Sequence, residues 1–202
     1  MTVVGCRRTP VRATSSRPGW AGTAGAVWLN ENVMANSAKA VVLVGHGAAA
    51  RDCPREWVTR LKALEARRRA SGEPMSAEER ELDTQVRRWP RTAQNDPYGA
   101  GLEALAAQVR RRLAGTLFAV AYNEFCAPTI EDAVDALVAA GAGEVLVVPS
   151  MLTPGGVHSE IEIPEVLAHL RARYPDLTLR YAWPFDLEQI ARMLVEHLGR
   201  FG

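Results

Sequence analysis

Cysteine is scarce in this sequence, and no two cysteines form a recognisable pair. Cys6, Cys53 and Cys126 are the only three among 202 residues. None stands at the spacing of a metal-binding or redox pair, so a reduced, cytosolic protein is expected. An excess of either charge is also missing. The 24 basic residues are balanced by 23 acidic ones, which argues against a general nucleic-acid binder, whose face leaves the whole domain basic. Lysine is nearly absent: only Lys39 and Lys62 occur, and arginine carries the rest of the positive charge. No apolar run approaches the roughly 20 residues that cross a bilayer, so no membrane partner is expected. Neither G-x-G-x-x-G nor a Walker loop occurs, which argues against a phosphate or nucleotide binder.

The chain is long enough for one domain with a full core. Residues 1–38 read as a tail, disordered or not native: Gly, Ala, Ser, Thr and Arg dominate, and Glu31 is the first acidic residue. Met34 stands as a candidate start just before the first strand, and a transit-type segment is the other reading of an Arg-rich, acid-poor opening. Residues 39–202 read as a single domain. Its first strand is residues 40–44, continuously apolar and so buried on both faces as in a parallel sheet. A charged helical insertion, residues 51–97, follows. Trp57, Leu61 and Leu64 mark one helix; Leu82, Val86 and Trp89 mark a second, with Ser76 and Glu79 as a possible capping box. Arg67-Arg68-Arg69 and Arg87-Arg88 read as solvated faces, or else as contacts for an acidic substrate or partner.

Asn95-Asp96-Pro97 opens a helix whose stripe is Leu102, Leu105, Ala106, Val109 and Leu113. Residues 117–122 form the second strand. A helix over 129–140 packs Ile130, Val134, Leu137 and Val138, and the third strand, residues 145–148, reads as buried. A helix carrying Ile163, Val166, Leu167 and Leu170 follows, with Pro164 in its first turn. Residues 177–181 alternate and suit an edge strand. The last helix carries Leu187, Ile190, Leu194 and Leu198. Strands alternating with helices give an α/β fold: a four-stranded parallel sheet flanked by helices, flavodoxin-like, in the order 2-1-3-4.

In that order, the first and third strands are neighbours at the point where ligands bind. His46 lies between glycines just past strand one, His158 follows strand three, and Glu124 follows strand two. Strands lie about 4.8 Å apart, so the three side chains are expected to share one cleft. Two imidazoles and a carboxylate suit a divalent metal such as Fe, Co, Ni or Zn. Structural zinc sites close with four protein ligands, often cysteines; a shell of two or three leaves room for exchange. Imidazole also takes protons near neutral pH. His169 and His197 sit within amphipathic helices and read as surface or packed residues. Glu162, beside a helix start, can simply favour the helix dipole.

The segments Val42-Leu43-Val44-Gly45-His46-Gly47, Tyr122-Asn123-Glu124-Phe125-Cys126-Ala127-Pro128-Thr129-Ile130 and Val147-Val148-Pro149 through Gly156-Val157-His158 to Glu162-Ile163-Pro164 resemble three blocks of the class II chelatases. These are the CbiX/SirB-type sirohydrochlorin cobalto- and ferrochelatases. Glu162 stands where that family usually has Asp. The resemblance implies a lyase that inserts Co²⁺ or Fe²⁺ into sirohydrochlorin without ATP, in cobalamin or sirohaem synthesis, with the metal as substrate and no organic cofactor. It implies that His46 is metal ligand and proton acceptor and that His158 is the second ligand. Glu124, Thr153, Pro154, Gly155, Gly156, Val157 and His158 would contact the macrocycle. Arginine suits the substrate's carboxylates, and Arg51 and Arg91 are candidates. Short members of the family pair as homodimers, so a dimer is expected, with the insertion as a lid or a dimer arm. A non-catalytic metal or tetrapyrrole carrier of the same fold is the competing reading.

Overall fold

A computed structural model describes residues 38–113 and 115–202. The reading of residues 1–38 as a tail lies outside the described residues, apart from Ala38, which opens β1. The elements are β1 (Ala38–Gly45), α1 (Arg55–Ser71), α2 (Ala77–Arg87), α3 (Pro97–Arg112), β2 (Leu117–Tyr122), α4 (Ile130–Ala139) and β3 (Ala142–Pro149). A π-helical turn (His158–Glu162), α5 (Ile163–Arg173), β4 (Thr178–Tyr181) and α6 (Leu187–Leu198) complete the chain. The four strands form one sheet in the order β2-β1-β3-β4, every pair parallel. This is the expected topology.

Successive strand residues point to opposite faces, and β1 and β2 are covered on both. Val42 and Val44 of β1, with Leu117, Ala119 and Ala121 of β2, pack against Ile130, Val134 and Leu137 of α4 and Ile163, Leu167 and Leu170 of α5. Val41, Leu43, Phe118 and Val120 meet Leu102 and Ala106 of α3 on the other face. Double coverage is why both strands read as unbroken apolar runs. β3 is buried on one face only: Val145 and Val147 are fully covered, while Leu146 is 37% exposed. On that face α3 packs on β1 and β2, and Val148 of β3 meets the same cluster only partly buried, so the expectation of a strand buried throughout is corrected. Leu105 also departs from its expected stripe, standing 47% exposed on α3. No residue of α6 is buried. Among the described residues, no helix is long and apolar enough to cross a membrane.

The insertion has its own small core. Leu61 of α1 and Val86 of α2 are buried with Ala50, Cys53 and Phe125. Trp57 and Trp89 pack edge to face beside them, 5.7 Å between ring centroids. Ser76 caps α2 by accepting from the Glu79 N–H at 3.1 Å. The Glu79 carboxylate does not return the bond. It is buried and takes the Arg68 guanidinium at 2.7 Å. The reciprocal box stands instead on α4, between Thr129 and Asp132.

Leu137 and Leu105 test which helix faces are core. Leu137→Ala is expected to lower unfolding free energy by about 2–5 kcal/mol. Leu105→Ala is expected to change it by no more than about 0.5 kcal/mol. Urea denaturation of both variants decides this; equal losses would contradict the packing.

Candidate metal centre

The centre is built at the carboxyl edge of the sheet, where the β1–β2 ladder runs past the strand ends. The Asn123 N–H donates to Gly45 O at 2.9 Å, and the Glu124 N–H to His46 O at 2.8 Å. His46 and Glu124 therefore stand side by side. The approach depends on Gly47, at φ +95°: a Cβ there would lie 1.9 Å from Glu124 O. Phe125, next to Glu124, is a buried non-glycine residue at φ 56°. Such a conformation is sparsely populated and clusters at functional sites. The His46 N–H donates to the Tyr98 hydroxyl at 2.8 Å, tying this edge to the start of α3.

Two arginines from the insertion hold these loops in place. Arg91, 8% exposed, pairs with Asp96 at 2.8 Å. It also donates to Ala48 O at 2.6 Å, to Val86 O at 3.3 Å and to Phe125 O. Arg87 donates to Cys126 O at 3.0 Å and Asn123 O at 3.1 Å. The expectation that Arg91 meets substrate carboxylates is corrected: its guanidinium is spent on a buried carboxylate and loop carbonyls. Arg51 remains exposed. The Cys126 thiol lies 3.3 Å from Ala48 O. Burial pushes its pKa up despite nearby Arg91, so it stays a neutral thiol.

His158 reaches the same point from the far side of β1. The Ser150 N–H donates to Val44 O at 2.8 Å, keeping the chain after β3 beside β1. The loop of residues 150–157 then ends in the π-helical turn that opens with His158. Helical backbone begins here rather than near Pro164, which sits in the first turn of α5. His158 and Glu162 thus share one helical face, and His158 Nδ1 lies 2.7 Å from Glu162 Oε2. The Asn123 side chain donates to the same oxygen at 2.6 Å. Burial opposes ionisation of Glu162, but the bonds from His158 and Asn123 and the charge of Arg69 outweigh it, so its carboxyl sits below the usual range.

These bonds assign the ring nitrogens. His46 Nδ1 lies 2.7 Å from Gly47 O, a carbonyl that only an N–H can satisfy. His158 Nδ1 lies 2.9 Å from the Asn123 amide nitrogen, but its shorter contact, 2.7 Å, is to the Glu162 carboxylate, which again only an N–H satisfies. Each imidazole therefore keeps its Nε2 lone pair for a ligand. The two rings meet edge to face at 4.5 Å. One donor atom from each of His46, Glu124 and His158 lies within 4.8 Å of the others. Their juxtaposition matches the expectation from strand order.

Thr153, Pro154, Gly155, Gly156 and Val157 form an exposed rim leading into His158. Within it the Gly155 N–H donates to Glu160 at 2.7 Å, so Glu160 holds the loop. His169 and His197 are exposed on α5 and α6. Sequence reasoning missed Asn123, Glu162 and Arg69 as members of the centre. The signal for Glu162 was its i, i+4 spacing from His158, hidden because the helix was expected to start only at about Ile163.

Gly47→Ala tests the juxtaposition. The new Cβ forces Glu124 away from His46, with a destabilisation of about 1–3 kcal/mol and loss of Co²⁺ binding. Thermal unfolding and calorimetric Co²⁺ titration read both. Undiminished Co²⁺ affinity would show that the placement of Glu124 beside His46 does not matter for the metal.

Comparison with known proteins gives the family. The CbiX family profile matches residues 93–200, more than half of the chain. Glu124 and His158 lie inside that match, and His46 lies before it. The chain is 32% identical over 96 residues to a sirohydrochlorin cobaltochelatase of Priestia megaterium, covering 48% of this chain and 31% of that protein. It is 33% identical over 81 residues to a sirohydrochlorin ferrochelatase of the same organism, covering 40% and 30%. The matched segments thus span less than a third of these relatives. Among solved structures, SirB from Bacillus subtilis with Fe³⁺ aligns at a TM-score of 0.46 and 20% identity, over 82% of this chain and 48% of that one. The CbiX protein of Marinobacter aquaeolei aligns at 0.44 and 19%, over 80% and 98%. The chain belongs to the CbiX family.

Proposed function

We propose that this protein is a sirohydrochlorin metallochelatase, inserting Co²⁺ or Fe²⁺ into the tetrapyrrole without ATP. The observation that carries the reading is the convergence of His46, Glu124 and His158, one donor atom from each lying within 4.8 Å of the others, with both Nδ1 atoms already hydrogen-bonded. The relatives named as cobalto- and ferrochelatases support the choice of substrate. Borderline divalent cations accept imidazole nitrogen and carboxylate oxygen together. Three donors hold such an ion while leaving the rest of its shell to pyrrole nitrogens.

The reaction exchanges one M²⁺ for two pyrrole protons. His46 holds the metal through Nε2, and as the metal passes to the ring the same lone pair takes one of the two pyrrole protons, the other leaving to solvent water. His158 is the second ligand and Glu124 supplies a carboxylate at the ring face. Thr153, Pro154, Gly155, Gly156 and Val157 form the rim on which the macrocycle rests, where the glycines permit close approach. Arg51, exposed beside the β1 loop, meets a substrate carboxylate. Cys53 and Cys126 are free and buried, which suits a reducing cytoplasm.

Protein mixed anaerobically with sirohydrochlorin and either Co²⁺ or Fe²⁺ is expected to give a catalytic absorbance shift, lost in His46→Ala. A shift no faster than in protein-free buffer would leave binding without turnover, the carrier reading.

We further propose that a second copy covers α6. Leu194, Val195 and Leu198 are 52%, 68% and 66% exposed, and Phe201 beyond them is 79% exposed. Leu187, Leu194 and Leu198 fall on one side of the helix, the stripe that a core-facing helix buries. Light scattering is expected to give a dimer mass, reduced to a monomer by Leu194→Glu. A monomer mass for the unaltered protein removes the proposal.

A further inference from the structure

The insertion meets the metal centre along one face of α1. Lys62, Glu65 and Arg69 are spaced i, i+3 and i+7, so they project together. The Lys62 ammonium sits 5.1 Å above the Phe125 ring. Glu65 is next in line, and burial, with the negative charge of Glu124 adding to it, raises its carboxyl pKa. Arg69 closes the row by pairing with Glu162 Oε1, while Glu162 Oε2 takes both Asn123 and His158.

α1 is also held from behind. α2 packs on it through Arg60–Glu78 at 2.6 Å and Arg68–Glu79 at 2.7 Å. Arg87 and Arg91 bond the carbonyls of residues 123, 125 and 126. A swinging lid would have to break these bonds together.

We propose that α1 is a fixed wall of the metal centre and that Arg69 is a positioning residue, acting on His158 through Glu162. Arg69 holds one carboxylate oxygen, so the other stays aimed at His158 Nδ1. That bond fixes the imidazole's orientation and tautomer and presents Nε2 to the cation. Without Arg69 the Glu162 side chain regains rotamer freedom and the ring loses its fixed aim. The proposal rests on the metal-binding reading of His46, Glu124 and His158.

The test is Co²⁺ titration of the full chain, followed by visible absorption and calorimetry. It uses the unaltered protein, Arg69→Ala, Arg69→Lys, Glu162→Gln and the Ala–Gln double variant. Arg69→Ala is expected to weaken Co²⁺ binding about tenfold, the low end for a supporting partner. Arg69→Lys recovers most of the loss. In the Glu162→Gln background, removing Arg69 adds nothing, because its route to the histidine is already broken. The thermal midpoint of the metal-free protein stays within about 3 °C, since a half-exposed ion pair contributes little to stability. Undiminished affinity in Arg69→Ala overturns the proposal while leaving the metal centre intact. So does a tenfold loss that persists in the Glu162→Gln background. If the unaltered protein takes up no Co²⁺, the metal reading fails first and the proposal falls with it.

Discussion

A buried guanidinium joins the carboxyl edge of this sheet into one body. Arg91 lies where the loop after β1, the end of α2, the start of α3 and the loop after β2 converge, and it bonds a partner in each. Its Nε alone is buried without a partner. A charge taken out of water is tolerated only when paired and hydrogen-bonded, and Asp96 supplies the pair. Asp96 is itself the cap of α3, accepting from the Gly99 N–H at 2.8 Å. The loops that carry His46 and Glu124 are therefore fixed by the same contact that starts α3. The sheet brings the strand ends near one another; Arg91 sets the path the chain takes after leaving them.

This division explains what could be read from the sequence. The strands were legible because continuous apolar runs have few alternatives in a chain that also alternates with helices. The handedness of parallel crossovers limited their possible orders, and the flavodoxin-like order expected among them is the one observed. Strand order in turn put His46, Glu124 and His158 at one edge, since each lies just past a strand. What escaped was whatever depends on contacts between distant segments. Arg91 bonds backbone carbonyls, which every residue has, so no pattern announces them. Arg68 and Arg69 sit in one run, yet one reaches Glu79 inside the insertion and the other reaches Glu162 beside His158. Their shared appearance as a solvated face concealed both partners.

Besides Leu105 on α3, burial failed to follow from pattern in two further places. Leu146 and the apolar side of α6 carry the signature of core residues, yet both are exposed. A periodic stripe records that a surface avoids water in the working state; it does not say whether the cover belongs to the same chain. On β1, β2 and α4 the cover is internal, and there pattern and burial agree.

The supporting contacts around the histidines bear on how a metal can be released as well as held. Both Nδ1 atoms are engaged before any cation arrives, one by a carbonyl and one by a carboxylate, so the rings need little reordering on binding. A donor set of two imidazoles and one carboxylate is nonetheless incomplete for ions that prefer four or more ligands. Rigid donors give definite geometry, and a short donor set limits affinity. On the proposed function, an ion held in this way would exchange protein nitrogen for pyrrole nitrogen without the protein unfolding or opening around it. On the same proposal the glycines of the exposed rim let a flat ring come close, and the proposed hold of Arg69 on Glu162 keeps the donors still while it does.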